Sequence, residues 1–277
     1  MNTLWSNRRQ DEGPGRVTRM VRSTTSGSRR EGFRPVVGGR LRFLCHKDIS
    51  CFNRCCADLR LVLTPYDILR LKRRLGLPSD AFLDQYTVLD LGARSIFPML
   101  KLRMREEGER PCPFVSRQGC TVYEDRPGAC RLYPLGRGTS WGPPGAGALE
   151  FYFIVDESHC MGFGEPREWT VEEWIVDQGV GLYNQMDREW MELVTSRSAR
   201  LRDLTEDKLK MFFMTSYNLD RFRDFVFQSR FLSAFEIPGE EVRRVYEDDV
   251  ELMRLGMKWL KFAILGDDTL RRKPIGS

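Results

Sequence analysis

All eight cysteines and both histidines of this 277-residue chain lie between Cys45 and Cys160, and the last 117 residues contain neither type. Each histidine adjoins a cysteine, as Cys45-His46 and His159-Cys160. Thiolate and imidazole are the ligands that soft and borderline metals prefer. The chain is therefore predicted to be built around a metal centre. In sequence order the cysteines form two groups: Cys45, Cys51, Cys55 and Cys56, followed by Cys112, Cys120, Cys130 and Cys160.

The spacing of the cysteines leaves the number of centres open. The first group reads C-x5-C-x3-C-C, and the second reads C-x7-C-x9-C with Cys160 thirty residues later. Neighbouring side chains usually point apart, so Cys55 and Cys56 are awkward ligands for one mononuclear metal. Eight thiols can supply two four-thiolate sites, or one site plus packed or redox-active cysteines. The sequence does not pair them.

The metal is predicted to be an iron–sulfur cluster, of the 4Fe-4S type, or zinc. Both accept four thiolates. Structural zinc sites favour paired C-x2-4-C steps, and only Cys51–Cys55 is such a step. The irregular spacing suits a cluster at least as well. We interpret His46 and His159 as supporting or packing residues, with ligation as the alternative.

The composition indicates a soluble globular protein, with 41% hydrophobic and 30% charged residues. No apolar run approaches the roughly 20 residues of a membrane-spanning helix. The N-terminal 32 residues lack the apolar region of a secretory signal, so a cytoplasmic location is expected. In that reducing compartment, clustered cysteines more often bind metal or do redox chemistry than form disulfides. The sequence contains no phosphate-binding glycine loop, and two histidines leave little for a Ser-His-Asp triad.

Basic charge is concentrated at the N-terminus. Residues 1–42 contain ten arginines against three acidic residues, a net charge of +7 in a chain of net charge +5. We predict a disordered, arginine-rich tail over residues 1–34, with translation from Met20 as an alternative. An arm that binds nucleic acid or an acidic partner is less favoured, because the tail lacks the interleaved aromatic residues of a single-strand binder.

The predicted fold is α+β and mainly helical. A loop-rich cysteine domain with a small sheet (35–165) packs against a helical C-terminal region (166–277), as parts of one structural unit. Thr64, Pro65, Asp67 and Gly76 mark the start and end of the clearest helix. Further helices are predicted at 79–86, after Thr170, and over 182–195, 205–214, 219–231 and 239–265. Strands are predicted at 59–63, 96–104 and 149–155, with a flexible loop or linker at 136–147.

Four stretches resemble the YkgJ-like cysteine-cluster proteins, a family described as a zinc- or iron-chelating domain with a CxxCxxCC core. The stretches are residues 43–56, 61–77 and 112–135, and His159-Cys160. The third is the most specific, with C-x7-C, a tyrosine, Arg-Pro and C-R-x-Y-P. The resemblance implies that all eight cysteines belong to the metal site.

One departure from that family is the looser spacing of the first group. It is similar to the cysteine module of flagellin lysine N-methylases, which are thought to use an iron–sulfur centre. Methylation does not carry over, because no further methylase motif is present.

Arg126, Arg131 and Tyr133 are predicted cofactor-binding residues beside the thiolates. Arginine donates up to five hydrogen bonds and can stabilise cluster sulfurs or an anionic ligand. A structural salt bridge or a packing role is the alternative for all three.

The function predicted from the sequence is metal binding, with a redox or protein-modifying role as its extension. The alternative is a zinc-stapled interaction module whose basic tail contacts nucleic acid or a protein partner. Beyond the metal or cluster itself, a protein partner is possible, a nucleic-acid partner is not favoured, and a membrane is not expected.

Overall fold

The computed structural model of the chain describes residues 32–90, 95–141 and 148–274. These residues form a mainly helical α+β fold, as predicted. The α-helices are α1 (Pro65–Leu75), α2 (Ser79–Tyr86), α3 (Gly128–Leu132), α4 (Val171–Asp177), α5 (Val180–Val194), α6 (Glu206–Tyr217), α7 (Leu219–Gln228), α8 (Phe231–Ala234), α9 (Gly239–Glu247) and α10 (Asp249–Leu260). The strands are β1 (Gly32–Pro35), β2 (Arg40–Arg42), β3 (Thr87–Leu89), β4 (Leu100–Leu102), β5 (Val115–Ser116), β6 (Gly119–Cys120), β7 (Leu135–Trp141), β8 (Ala148–Asp156) and β9 (Glu168–Thr170).

All strand pairs are antiparallel and the sheets are small. β8 lies between β1 and β7 in a three-stranded sheet, and the other pairs are β2–β9, β3–β4 and β5–β6. β1 includes residues 32–34, which the sequence assigned to the N-terminal tail; the rest of that tail lies outside the described residues. None of the described helices is long and apolar enough to cross a membrane.

The helix predicted after Thr64 is α1, and its local signals act as expected. The Thr64 hydroxyl accepts the Asp67 N–H at 3.1 Å, and the Asp67 carboxylate accepts the Thr64 N–H at 3.0 Å. Gly76 ends the helix in the left-handed region at φ 65°. This capping box satisfies two backbone donors that would otherwise be unpaired at the helix start.

Several predicted boundaries differ from the structure. The single helix predicted over 239–265 is broken at Asp248, whose φ of −124° and ψ of 120° are extended, and continues past α10 as one π-helical turn. Asp248 caps α10 by accepting the Val250 N–H at 2.7 Å, which is a position that aspartate favours. The helix predicted over 219–231 likewise ends at Gln228.

Two loop and strand predictions also need correction. The first part of the predicted loop 136–147 is strand β7, and residues 142–147 lie outside the described residues. The strand predicted at 59–63 is a loop that makes a single bridge from Val62 to Lys101.

Three apolar clusters hold the helices and sheets together. The first cluster joins α1 and α2 to α5, α6 and α10, through side chains such as Leu63, Phe82, Trp190 and Phe212. The second lies mainly among the C-terminal helices, around Phe222 and Trp259, and includes Tyr66 of α1 and Tyr183 of α5. The third packs the three-stranded sheet against α4, around Phe43 and Trp174. Cys112, Cys120 and Cys130 pack against the first cluster and Cys160 against the third, so the cysteines lie where the two meet.

Candidate metal centre

Tight turns bring the first group of cysteines together. The Arg54 N–H donates to the Cys51 carbonyl at 2.9 Å, and the Cys56 N–H donates to the Asn53 carbonyl at 3.0 Å. Asn53 adopts the left-handed conformation at φ 68°, which asparagine tolerates better than most residues. Two overlapping turns therefore keep residues 51–56 compact, and these residues form no sheet ladder.

The end of this turn is hydrogen-bonded to the segment that contains Cys112. The Cys112 N–H donates to the Cys56 carbonyl at 2.8 Å, and the Asn53 side chain donates to the Ser116 carbonyl at 2.9 Å. The β5–β6 hairpin links Cys112 to Cys120, and Val115 lies opposite Cys120 in it. These bonds hold Cys56 beside the start of the hairpin.

A second set of contacts joins the start of the turn to the segment around Cys160. The Leu44 N–H donates to the Gly162 carbonyl at 3.1 Å, and the Met161 N–H donates to the Cys51 sulfur at 3.2 Å. A Cβ on Gly162 would lie 2.5 Å from the Phe43 ring, so only glycine allows this approach. Cys160 is thus brought to the first sequence group rather than to the second, where its position in the chain had placed it.

Four thiols form what we call the first set: Cys45, Cys51, Cys55 and Cys160. Desolvation raises the pKa of Cys45 to about 11, and the nearby charges of Cys55, Cys51 and Cys160 add to the shift. Desolvation also raises the pKa of Cys160, and Cys51 and Cys55 again contribute. Mutual repulsion of this kind requires that the sulfurs lie close to one another.

The second set is Cys112, Cys120 and Cys130. Burial is the largest cause of the raised pKa of each of these thiols. Cys130 is also raised by Cys112, Asp67, Cys120 and Cys55, in that order. Cys130 lies on α3, a short helix that follows Pro127.

Cys55 and Cys56 lie at the junction of the two sets. The hydrogen bond between their side chains is the largest cause of the raised pKa of Cys55, followed by burial. The charge of Cys55 contributes to the raised pKa values of Cys45 and Cys160 in the first set and of Cys130 in the second. The adjacent pair is therefore the only direct sequence link between the two sets.

Backbone N–H groups point at several of the sulfurs. The Met161 N–H donates to the Cys51 sulfur. The N–H groups of Phe114 and Val115 near Cys112, of Gly162 near Cys160 and of Val122 near Cys120 oppose the rise in the pKa of these thiols. Hydrogen bonds of this kind favour the thiolate over the thiol and tune a bound metal or cluster.

The two histidines lie in different surroundings. His159 is only 9% exposed, both ring nitrogens lack a hydrogen-bond partner, and Nε2 lies 3.3 Å from the Glu157 carboxylate without the alignment of a hydrogen bond. The Tyr133 hydroxyl donates to the same carboxylate at 2.9 Å, and it also contacts Cys160. His46 is more exposed and lies 3.7 Å from Glu165.

Arg126 and Arg131 are engaged by the protein itself. Arg126 donates to the Tyr123 carbonyl at 2.6 Å and to the Gln178 side chain at 2.7 Å. Arg131 donates to the Gln178 carbonyl at 3.0 Å and lies 4.7 Å from the centre of the Tyr183 ring. Both guanidinium groups thereby connect the segment around α3 to Gln178, in the loop before α5. Their cofactor-binding role stays a prediction. Tyr133, in contrast, lies next to a thiol.

Asp67 and Glu157 are site residues that sequence reasoning missed. Asp67 is fully buried, and its carboxylate accepts the Gly128 N–H at 2.8 Å while it caps α1. It therefore fixes the start of α3, two residues before Cys130. The capping box pointed to Asp67 as a helix signal, but no local pattern indicated its second partner.

The donor chemistry fits a metal. All eight cysteines are free thiols. Within the described ranges, no three Cys, His, Asp or Glu side chains stand in the geometry of a completed metal site. The thiols nevertheless gather in two sets, with N–H donors aimed at the sulfurs. Their thiolates repel one another, and a metal cation is the partner that relieves this repulsion.

Residues 44–160 match the family model CxxCxxCC, described as "Putative zinc- or iron-chelating domain". The match covers less than half of the chain but includes every cysteine. No curated protein and no solved structure matches the chain. The similarity to YkgJ-like proteins and to flagellin lysine N-methylases stays a prediction.

Proposed function

We propose, from the match of residues 44–160 to the family model of zinc- or iron-chelating CxxCxxCC domains, that the eight cysteines hold two metal centres. The first centre uses Cys45, Cys51, Cys55 and Cys160. The second centre uses Cys56, Cys112, Cys120 and Cys130. The observation that carries this proposal is the division of the sulfurs into two neighbouring sets, with Cys55 and Cys56 between them.

The assignment of Cys56 to the second centre rests on its backbone contacts. Its carbonyl accepts the Cys112 N–H, and the preceding turn is bonded to Ser116 in the β5–β6 hairpin. The Cys55 and Cys56 side chains are close enough to hydrogen-bond to each other, so the pair lies between the two sets and the backbone contacts alone assign Cys56 to the second. Each centre then has four thiolates, the number that both zinc and an iron–sulfur cluster accept.

Each centre is a 4Fe-4S cluster or a zinc ion. A bound cluster would supply one-electron transfer, whereas zinc would supply a fixed charge that joins the chain segments. In either case the protein supplies the converging turns and the backbone N–H groups that stabilise thiolates. Tyr133, Glu157 and His159 form a polar group beside Cys160, where they hold that thiol in place.

A redox role is favoured for the first centre by the position of Cys45, which is exposed. A cluster held there lies within reach of a protein partner that exchanges electrons. Protein prepared without oxygen should then show visible absorption that bleaches on addition of a reductant and returns with an oxidant. Colourless protein that contains only zinc would exclude this role and leave the centres structural.

Metal and acid-labile sulfide per chain, measured on protein purified without oxygen or chelator, test the two-centre proposal. About two zinc ions, or about eight irons with matching sulfide, are expected per chain. Cys51→Ala and Cys120→Ala should each remove about half of the metal, and the double variant should remove nearly all of it. Ser50→Ala, an exposed neighbour of Cys51, is the matched control and should keep full metal content.

A single centre would give a different pattern. Half the expected metal in the unaltered chain, or complete loss from either single variant, would contradict the proposal. Cys56→Ala tests the assignment of the adjacent pair, because it should remove the same centre as Cys120→Ala. Combining those two substitutions should therefore cause no further loss.

A further inference from the structure

A cavity of about 650 Å³ lies where α7, α8 and α10 meet residues 272–274. Its volume falls within the range of about 300–1,000 Å³ that is typical of small-molecule sites. Four aromatic side chains line its floor, and we call it the aromatic cavity: Phe225, Phe231, Phe235 and Trp259. These side chains belong to the second apolar cluster, against which no cysteine packs, so the cavity is separate from the thiols.

The rings of the floor hold one another in place. Phe225 stacks on Trp259 with ring centres 5.0 Å apart, and Phe231 meets Trp259 edge-on at 5.4 Å. The centre of the Phe235 ring lies 5.0 Å from that of Phe231. Because these contacts fix the rings before any ligand arrives, little conformational entropy is lost when a ligand packs against them.

The wall of the cavity is fixed by backbone contacts. Phe235 pairs with Arg272 in an antiparallel bridge, and the Lys273 N–H donates to the Ala234 carbonyl at 2.9 Å. These contacts hold Arg272 and Lys273 beside α8. Arg230 lines the same cavity from the start of α8. Three cationic side chains are thereby brought to one opening.

The positive charge at this opening is not neutralised by carboxylates. The lining contains Arg230, Arg272 and Lys273 but no acidic residue. Within the part of the chain that the structure describes, none of the three forms an ion pair. Lys273 Nζ donates to the Leu232 carbonyl at 2.9 Å, which leaves its charge in place. Carboxylates do pair with the following arginines of α7, α9 and α10: Arg221, Arg223, Arg244 and Arg254.

The two hydroxyl groups of the lining are engaged with the backbone of α8 and its start. Ser229 accepts the Phe231 N–H at 3.1 Å, and Ser233 donates to the Arg230 carbonyl at 2.8 Å. The cavity therefore offers a ligand mainly apolar surface and cationic groups. A nucleotide fits this lining poorly, because the polar groups of its sugar and base would be buried with few partners.

We propose that the aromatic cavity binds a small aromatic carboxylate. The ring of the ligand lies against the floor, where aromatic pairs contribute beyond the burial of apolar area. Its carboxylate accepts hydrogen bonds from Arg230 and Arg272, since the planar guanidinium matches the two oxygens. Guanidinium groups also stack on aromatic faces, which favours a ring over an alkyl chain as the body of the ligand. This inference goes beyond metal binding and does not depend on it.

The test is equilibrium dialysis of the full chain, purified without oxygen or chelator, against naphthalene-2-carboxylate. Naphthalene-2-carboxamide has nearly the same shape without the charge, and octanoate carries the charge on an alkyl chain. About one carboxylate should bind per chain. The carboxamide, and octanoate measured by displacement, should bind at least about tenfold more weakly, because each lacks one of the two contacts.

Two changes to the lining locate the ligand. The double variant Arg230→Gln and Arg272→Gln removes two exposed charges and should weaken binding by at least about tenfold. Ala234→Phe leaves the charge unchanged but fills part of the cavity, and it should weaken binding by a similar factor. Arg243→Gln, at an exposed arginine on α9 outside the lining, is the matched control and should bind within about twofold of the unaltered protein.

Circular dichroism and metal content establish that each variant is folded. No binding of naphthalene-2-carboxylate at up to about 1 mM would overturn the inference. So would equal affinity for the carboxylate and the carboxamide, or unchanged affinity in the double arginine variant. Tighter binding of octanoate would overturn it as well, because the ligand would then be an alkyl acid. Failure of any of these tests in protein with full metal content leaves the two-centre proposal unaffected.

Discussion

At the scale of single residues, two buried carboxylates lie between α1, α3 and α5. Asp67 accepts backbone N–H groups from Thr64 and Gly128, whereas one oxygen of Asp187 has no hydrogen-bond partner. Burial, and then repulsion by Asp67, raise the pKa of Asp187 to about 8. Burial raises the pKa of Asp67 as well, although its N–H donors oppose the shift. Asp187 therefore takes up a proton on folding at pH values between the two states' pKa values.

Asp187→Asn should change how stability depends on pH. In the unfolded chain this carboxyl ionises near pH 4, and in the folded protein near pH 8, so its contribution to stability is lost as the pH rises between these values. Asparagine cannot ionise. Between pH 4.5 and pH 8 the unfolding free energy of the variant should therefore rise by a few kcal/mol relative to that of the unaltered protein, at about 1.4 kcal/mol per pKa unit. Urea unfolding at both pH values measures the difference.

The control for this prediction is Asp84→Asn, an exposed aspartate on α2. Its free energy of unfolding relative to the unaltered protein should be the same at both pH values. If the unfolding free energy of Asp187→Asn differs from that of the unaltered protein by the same amount at both pH values, the buried carboxyl ionises with an ordinary pKa. Titration of the metal centres affects all three proteins equally and cancels in the comparison.

At the scale of elements, the turn at Met161 to Gly164 positions Cys160 by close approach to β2. Gly162→Ala should push this turn away, because the new Cβ would lie 2.5 Å from the Phe43 ring and 3.0 Å from the Leu44 carbonyl oxygen. We expect a loss of about 1–3 kcal/mol in unfolding free energy, as for other overpacked sites. Metal loss should be confined to the first centre.

Gly164→Ala is the matched control for this change, since no atom lies within 4 Å of its added Cβ. It should keep both the stability and the metal content of the unaltered protein. If Gly162→Ala lost metal from the second centre instead, Cys160 would belong with Cys112, Cys120 and Cys130. Thermal unfolding and metal analysis of the two variants provide these measurements.

Elements with strong local signals were predicted closely, and those that depend on distant contacts were not. α1 begins and ends where Thr64 and Gly76 indicate, because a cap and a left-handed glycine act within one turn. The break at Asp248 was missed because the apolar stripe continues across it. The strand at 136–141 was missed because the glycines at 136 and 138 are typical of a loop in the sequence. Only the tertiary structure shows that rings from β8 cover them.

At the scale of the whole molecule, the cysteine region lies between two apolar clusters and has few strands of its own. Residues 44–58 are held by turns and by bonds to the segments around Gly162 and Cys112. Such a region has little buried apolar area to stabilise it without a metal. Metal binding should therefore provide part of its folding free energy, as in other small metal sites.

Removal of the metal should loosen this region and leave the helical part folded. Hydrogen exchange measured by mass spectrometry, with and without chelator, should show faster exchange in residues 44–58 and 110–122. Peptides from α7 to α9 should be unchanged, because these helices pack in the second apolar cluster, against which no cysteine packs. Faster exchange throughout the chain would instead mean that the centres support the entire fold.

The sequence by itself determined the chemistry of the site and the local starts of helices. Cysteine clustering predicted a metal centre, because ligand type is a property of the residues themselves, and the spacing left the number of centres open. Only the tertiary structure decided that Cys160 joins Cys45, Cys51 and Cys55, that Asp67 reaches Gly128, and that aromatic and cationic side chains from α7, α8, α10 and the segment after them line one cavity. These relations join residues tens of positions apart, and they depend on how apolar clusters and strand pairs bring distant segments together.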